Sequence, residues 1–161
     1  MVRFLDAAQT IAVTLWIGTL WTSGLVVAPL LFHALSDRAL AGAVAGQLFE
    51  VTASIGLVCG VCVLIVWFVC LGTRGAPKKT LGWLVVAMLV LGLVGQFGIQ
   101  PVLAAMREQM HPQPVMESGL GPRFAFWHIV ATILYLLQCL LGLVLVLSLR
   151  GPGVRLAMAK Q

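Results

Sequence analysis

The sequence predicts an all-α membrane protein: four transmembrane helices in an up-down-up-down antiparallel bundle, with the N- and C-termini cytoplasmic. Three observations carry the prediction. The first is composition, since 61% of the 161 residues are apolar and only 9% are charged, a balance far from that of a water-soluble domain. Mean hydropathy is accordingly +1.07. The second is the length of the apolar runs. A helix needs about 20 mostly apolar residues to cross the hydrocarbon core, and four stretches are that long with almost no charge inside them: Leu5 to Phe32, Leu48 to Leu71, Leu81 to Val102 and Phe124 to Leu149. The third is where the cations fall. With both termini on one side, that side holds Arg3, Arg74, Lys78, Lys79, Arg150, Arg155 and Lys160, and the other only Arg38, Arg107 and Arg123. Cytoplasmic loops are the ones enriched in Lys and Arg. The net charge of +5 then reflects topology and contact with anionic headgroups, and no nucleic-acid partner is expected.

Spans of this length leave connections too short to fold separately, so residues 1–161 read as a single four-helix transmembrane domain with helices at about 5–32, 38–71, 80–103 and 123–149. Arg3 ahead of an apolar run has the outline of a secretory signal. The run is too long for one, contains Trp16 and Trp21, and offers no small-residue cleavage site before Pro29, so it reads as a retained helix. Pro29 has no amide hydrogen and its ring crowds the Leu25 carbonyl four residues back, which predicts a kink near the end of this helix. Ser36 and Asp37 in the following turn are N-cap residues for the second helix. Gly72 to Lys79, with Gly75 and Pro77, is a helix-breaking hairpin connection. The third helix starts near Thr80 and meets Pro101 at its far end, and the longest loop is expected over Met106 to Arg123. Pro122 suits the opening of the fourth helix, which closes at Gly151 and Pro152.

Small residues on the second helix, Gly42, Gly46, Ala53, Gly56 and Gly60, include two steps of four and so share a face. Such a stripe lets backbones approach closely. It predicts packing against the first or third helix, or a homodimer or membrane-protein partner engaged through helix 2.

Polar residues inside a span are costly in lipid and draw a functional hypothesis. Counted by depth, Gln47, Glu50, Gln96, Gln100 and His128 gather toward the outer leaflet, near His33. They form either a polar chamber open to the outer face or a set of interhelical hydrogen bonds. Thr19, Thr22 and Ser23 read as helix glue, their hydroxyls bonding carbonyls one turn back.

Met106, Met110, His111 and Met116 bring thioether and imidazole donors of the kind that select copper, and His33 with His128 offers a pair for a haem or a metal between helices 1 and 4. These are alternatives to the expectation of no cofactor. Cys59, Cys62, Cys70 and Cys139 all fall inside spans and read as small apolar packers. The CysGlyValCys stretch at 59–62 lacks the helix N-terminus or positive neighbour that activates a thiol. No nucleophile triad, phosphate loop or paired carboxylates stand out among the acids Asp6, Asp37, Glu50, Glu108 and Glu117, so no catalytic residue is assigned and an enzyme is not expected.

The stretches LWIGTLWTSGLVVAPLLF at 15–32, LAGAVAGQLF at 40–49 and RFAFWHIV at 123–130 together resemble the bacterial branch of the transmembrane protein 205-like family, across nearly the whole chain. The resemblance implies a four-helix protein of the bacterial inner membrane, and, through the link of eukaryotic relatives with tolerance of platinum drugs, a loose connection with export or vesicle traffic. Helix 1 is also distantly similar to that of the haem-containing protoporphyrinogen oxidase of bacteria and of copper-resistance membrane domains. Where the oxidase has an early histidine this chain has Gln9, and its activity is not carried over. The expected role is therefore a transport-associated or partner-binding component of the membrane, with a haem or copper site near the outer leaflet as the alternative.

Overall fold

A computed structural model describes residues 2–74, 79–109 and 119–149. All regular structure among them is helical, in the order α1 (Val2–Trp21), a π-helical turn at Thr22–Val27, α2 (Ala28–Ala34), α3 (Arg38–Arg74), α4 (Lys79–Leu93), a second π-helical turn at Val94–Ile99, α5 (Gln100–Glu108) and α6 (Gly121–Leu149). The pieces join into four spans long and apolar enough to cross a membrane: Phe4–Ala34, Arg38–Val69, Leu81–Glu108 and Gly121–Leu149. At about 1.5 Å of rise per residue, even the shortest, of 28 residues, exceeds a hydrocarbon core about 30 Å thick.

Large apolar side chains cover the outside of the bundle. Trp83 is 72% exposed and Phe97 69%, an arrangement that suits lipid as the surrounding solvent, where all backbone polar groups must be satisfied within the helices.

The two π turns share one cause. Pro29 and Pro101 each follow a π turn by two residues. A proline inside an α-helix removes a donor and drives its ring into the carbonyl four residues back. Widening the preceding turn by one residue relieves the clash and keeps the chain hydrogen-bonded. The Ala28 amide accordingly donates to the Ser23 carbonyl, and the Gln100 amide to the Gly95 carbonyl, each five residues back. The kink expected at Pro29 thus takes the form of a π turn, and the helix runs on to Ala34. Likewise the third helix does not stop near residue 103. It continues through α5 to Glu108, so Met106 is helical and buried rather than part of a loop.

Asp37 begins α3 as an N-cap, its Oδ1 accepting the amides of Ala39 at 2.8 Å and Leu40 at 3.2 Å. Such a cap stabilises a helix by about 1 kcal/mol. Each span packs on the next, and the fourth returns to the first. Contacts late in one span meet residues early in its neighbour: Trp16 meets Gly60 whereas Ser23 meets Thr52, and Leu89 meets Gly60 whereas Gly82 meets Trp67.

The core sits at one end of the bundle. Trp16, Val63, Val85, Met88 and Leu145 are its fully buried members. Trp16 lies on a floor made by two glycines of α3. A Cβ at Gly56 would sit 2.6 Å from Trp16 Nε1, and one at Gly60 would sit 2.9 Å from Trp16 Cη2. Part of the small-residue stripe is therefore occupied by this chain's own indole. Gly142 of α6 admits Ile17 in the same way, at 2.8 Å.

Gly60→Leu is expected to destabilise the protein by about 1–3 kcal/mol through overpacking, read as a lower Tm of the detergent-purified protein. Gly18→Leu, whose side chain would meet open space, is the control. Equal Tm values for the two variants would contradict the Trp16 seat.

Candidate functional site

Beyond the Trp16 layer the four spans surround a cavity of about 1130 Å³, somewhat larger than the usual small-molecule site of about 300–1,000 Å³. Trp16, Leu20, Met88 and Leu89 lie at its closed end, and Asp37, Arg38, Arg107 and His128 line it among the residues far from that layer. Both π turns contribute to the wall, through Gly24 of the first and Gly95, Gln96 and Ile99 of the second.

Polar bonds between spans frame the cavity. Ser23 and Thr52, each 5% exposed, share a 2.8 Å hydroxyl contact between the first and second spans. Thr19 behaves as the expected glue, donating to the Leu15 carbonyl at 2.7 Å. Ser23 departs from that expectation, because the π turn aims it at α3. From α6, the Tyr135 hydroxyl donates to the Leu20 carbonyl, Gln138 Nε2 donates to the Met88 carbonyl at 3.4 Å, and the Cys139 carbonyl accepts the Trp21 indole N–H at 3.3 Å. The Tyr135 ring also meets Phe49 edge to face at 5.2 Å and fills the space left open at Gly24, where a Cβ would lie 2.6 Å from Tyr135 Cζ.

Of the six polar residues that depth singles out, Gln96, Gln100 and His128 line the cavity. Gln96 Oε1 is buried without a hydrogen-bond partner. His33, Gln47 and Glu50 are exposed and outside the lining; helical periodicity sets position 47 well off the face that carries Gly46, Phe49 and Ala53 and position 50 at its edge. His33 and His128 therefore do not face each other across a shared site. Gly42, Gly46, Ala53 and Gly56 all line the cavity, so the stripe on the second helix is directed into the molecule.

Arg107 is a functional candidate that charge counting alone does not single out. Placed on α5 by the continuation of the helix past Pro101, it reaches across to α3, where a Cβ at Gly46 would lie 2.7 Å from its Nη1. Its guanidinium also lies over the Phe124 ring, 5.7 Å from the centroid, a cation–π contact. Phe124 in turn stacks nearly parallel to His128 at 6.1 Å.

Among the described residues no three His, Cys, Asp or Glu side chains converge as a metal set. Of the copper donors suggested by the sequence, Met106 is buried in α5, while Met110, His111 and Met116 lie outside the described residues. Cys59 and Cys139 are buried free thiols and Cys62 an exposed one; the side chain of Cys70 lies outside the described set.

Four apolar helical spans around a cavity define a multi-pass membrane protein. Residues 11–112 match the family described as Domain of unknown function (DUF4149), and the chain belongs to that family. The match takes in both π turns, the glycine stripe, Gln96, Gln100 and Arg107, and leaves α6 with His128, Tyr135 and Gln138 outside it. Neither a curated protein nor a solved structure matches the chain.

A double-mutant cycle on Ser23→Ala and Thr52→Val is expected to return a coupling of about 0.6 kcal/mol, the usual size of an interhelical bond in a membrane. Additive Tm losses would show the two hydroxyls to be uncoupled.

Proposed function

We propose that the protein is a transport-associated component of the bacterial inner membrane that takes a lipophilic solute into the cavity between its spans. The cavity itself carries this reading. Interiors of purely structural bundles are filled to the density of organic crystals, whereas here about 1130 Å³ stays open. Glycines stand where larger side chains would have room, since a Cβ at Gly42 or Gly95 would meet nothing within 4 Å. A wall of mostly apolar side chains with a few convergent polar groups is the usual make-up of a small-molecule site.

The cation distribution supports an up-down-up-down bundle with both ends in the cytoplasm and the open end of the cavity toward the outer face. The resemblance to the transmembrane protein 205-like family, whose eukaryotic members are linked with tolerance of platinum drugs, supports a role in export. The protein acts without a catalytic centre, and the bilayer is its immediate partner. The inward direction of the glycine stripe favours a binding role for the single chain over a dimer built on that stripe.

Three measurements test this reading. Tags at the two ends should report the same compartment, and opposite compartments would end the proposed topology. A diazirine-bearing hydrocarbon should label Met88, Gln96 and Tyr135 in the native protein. That labelling should be lost in Gly42→Leu and Gly95→Leu, which fill the cavity, and kept in Gly18→Leu; indifference to filling would overturn the proposal. Detergent-purified protein is expected to show no Soret band and no stoichiometric copper, and either signal would replace this reading with a haem or copper centre.

A further inference from the structure

We infer that the ligand of this cavity is an amphiphile with a single anionic headgroup, drawn from the membrane, its headgroup on Arg107 and its hydrocarbon tail directed toward Trp16. The inference rests on the reading of the cavity as a binding site and specifies the chemistry of what enters it.

Arg107 is a cation on a candidate membrane span. Its side chain is partly buried and lines the cavity. Among the described residues no carboxylate pairs with it, and its guanidinium rests over the face of Phe124. A guanidinium held away from water with no carboxylate on it from the described spans is costly unless an anion reaches it. It also presents a planar fork of donors suited to a carboxylate or phosphate. Gly46 supplies the space in which that fork reaches the second span, since a Cβ there would collide with Nη1.

The surrounding charges favour an anion. Arg38 lines the same cavity, and among the described residues Asp37 is the single acid in the lining. Asp37 is already engaged, with two α3 amides on its Oδ1. His128, stacked on Phe124, adds an imidazole to the same wall. Among the described residues no other acid enters the lining from any span.

Below this basic end the wall is mostly apolar, interrupted by the amides of Gln96, Gln100 and Gln138, and its depth suits a chain rather than a compact ion. Arg107 and Met88 both line the cavity, and the stretch of span between them is about 28 Å long at the helical rise. Free phosphate would leave almost all of that length unfilled. An amphiphile places its charge at Arg107 and its methylenes along the remaining wall, where each is shielded from water.

The test uses the full chain purified in a neutral detergent, with Trp21, Trp67, Trp83 and Trp127 replaced by Phe, and quenching of the remaining Trp16 emission by a bromine-tailed fatty acid as the readout, because Trp16 lines the cavity. A fatty alcohol with the same brominated tail and sodium phosphate alone are the comparison probes. The acid should quench saturably. Arg107→Gln should weaken its apparent affinity by about tenfold or more, and Arg107→Lys by less, as expected for loss of a charge-assisted contact. Phosphate alone should not displace the acid. Equal affinity for acid and alcohol would overturn the anionic headgroup while leaving the cavity a binding site. Displacement by phosphate would overturn the amphiphile in favour of a free anion. Absence of saturable quenching by either tailed probe would overturn both this inference and the binding reading beneath it. The acid and alcohol are compared on the protein with Arg107 in place, so the comparison decides between them even if Arg107→Gln fails to fold.

Discussion

The arrangement depends on the seating of Trp16 against Gly56 and Gly60. In lipid, apolar side chains gain little by leaving one hydrocarbon surrounding for another, so helices associate through close packing and polar contacts. An indole resting on two glycine backbones supplies that packing, and Trp16 is only 2% exposed. Leu89 from the third span and Ile17 against Gly142 of the fourth complete the layer. With the spans fastened in this way, a cavity beyond the layer can persist without their drifting apart.

The two prolines exploit that freedom. Each lies past the packed layer, and each is preceded by a π turn that re-aims the side chains beyond it. In the first span the wider turn presents Ser23 to Thr52 and leaves Gly24 as a place for Tyr135. In the third it brings Gln96 to the cavity wall and carries the helix on to Arg107. One local device, needed to keep backbone donors satisfied next to proline, thereby shapes both sides of the same cavity. The fourth span, with no proline between Pro122 and its end at Leu149, acts as the straight member to which Tyr135, Gln138 and Cys139 tie the first and third.

The distribution of polarity along the lining frames the binding proposal. The wall is apolar over most of its extent, with amides at Gln96, Gln100 and Gln138 and cations at Arg38 and Arg107. That gradient, greasy at the Trp16 end and basic at the other, matches a molecule that carries one charge and a long tail. Gly46 and Phe124 hold the arginine where the gradient changes.

Much of the fold is legible in the chain itself, because span length, apolarity and the punctuation by Asp37 and Pro122 are local properties that lipid and the peptide backbone translate directly into helices. The same holds for the glycine stripe as a contact face. The site is legible only in part. Depth along the spans finds Gln96, Gln100 and His128, but depth says nothing about azimuth, and His33, Gln47 and Glu50 at similar depth turn outward. Arg107 escapes a sequence reading because Pro101 looks locally like a helix end, whereas a π turn lets the helix pass through it. Which side chains meet across the cavity, and that a cavity exists at all, depends on the rotation of each span about its axis. That rotation is set by Trp16 on its glycines and by contacts between residues far apart in the chain, so the tertiary structure alone decides it.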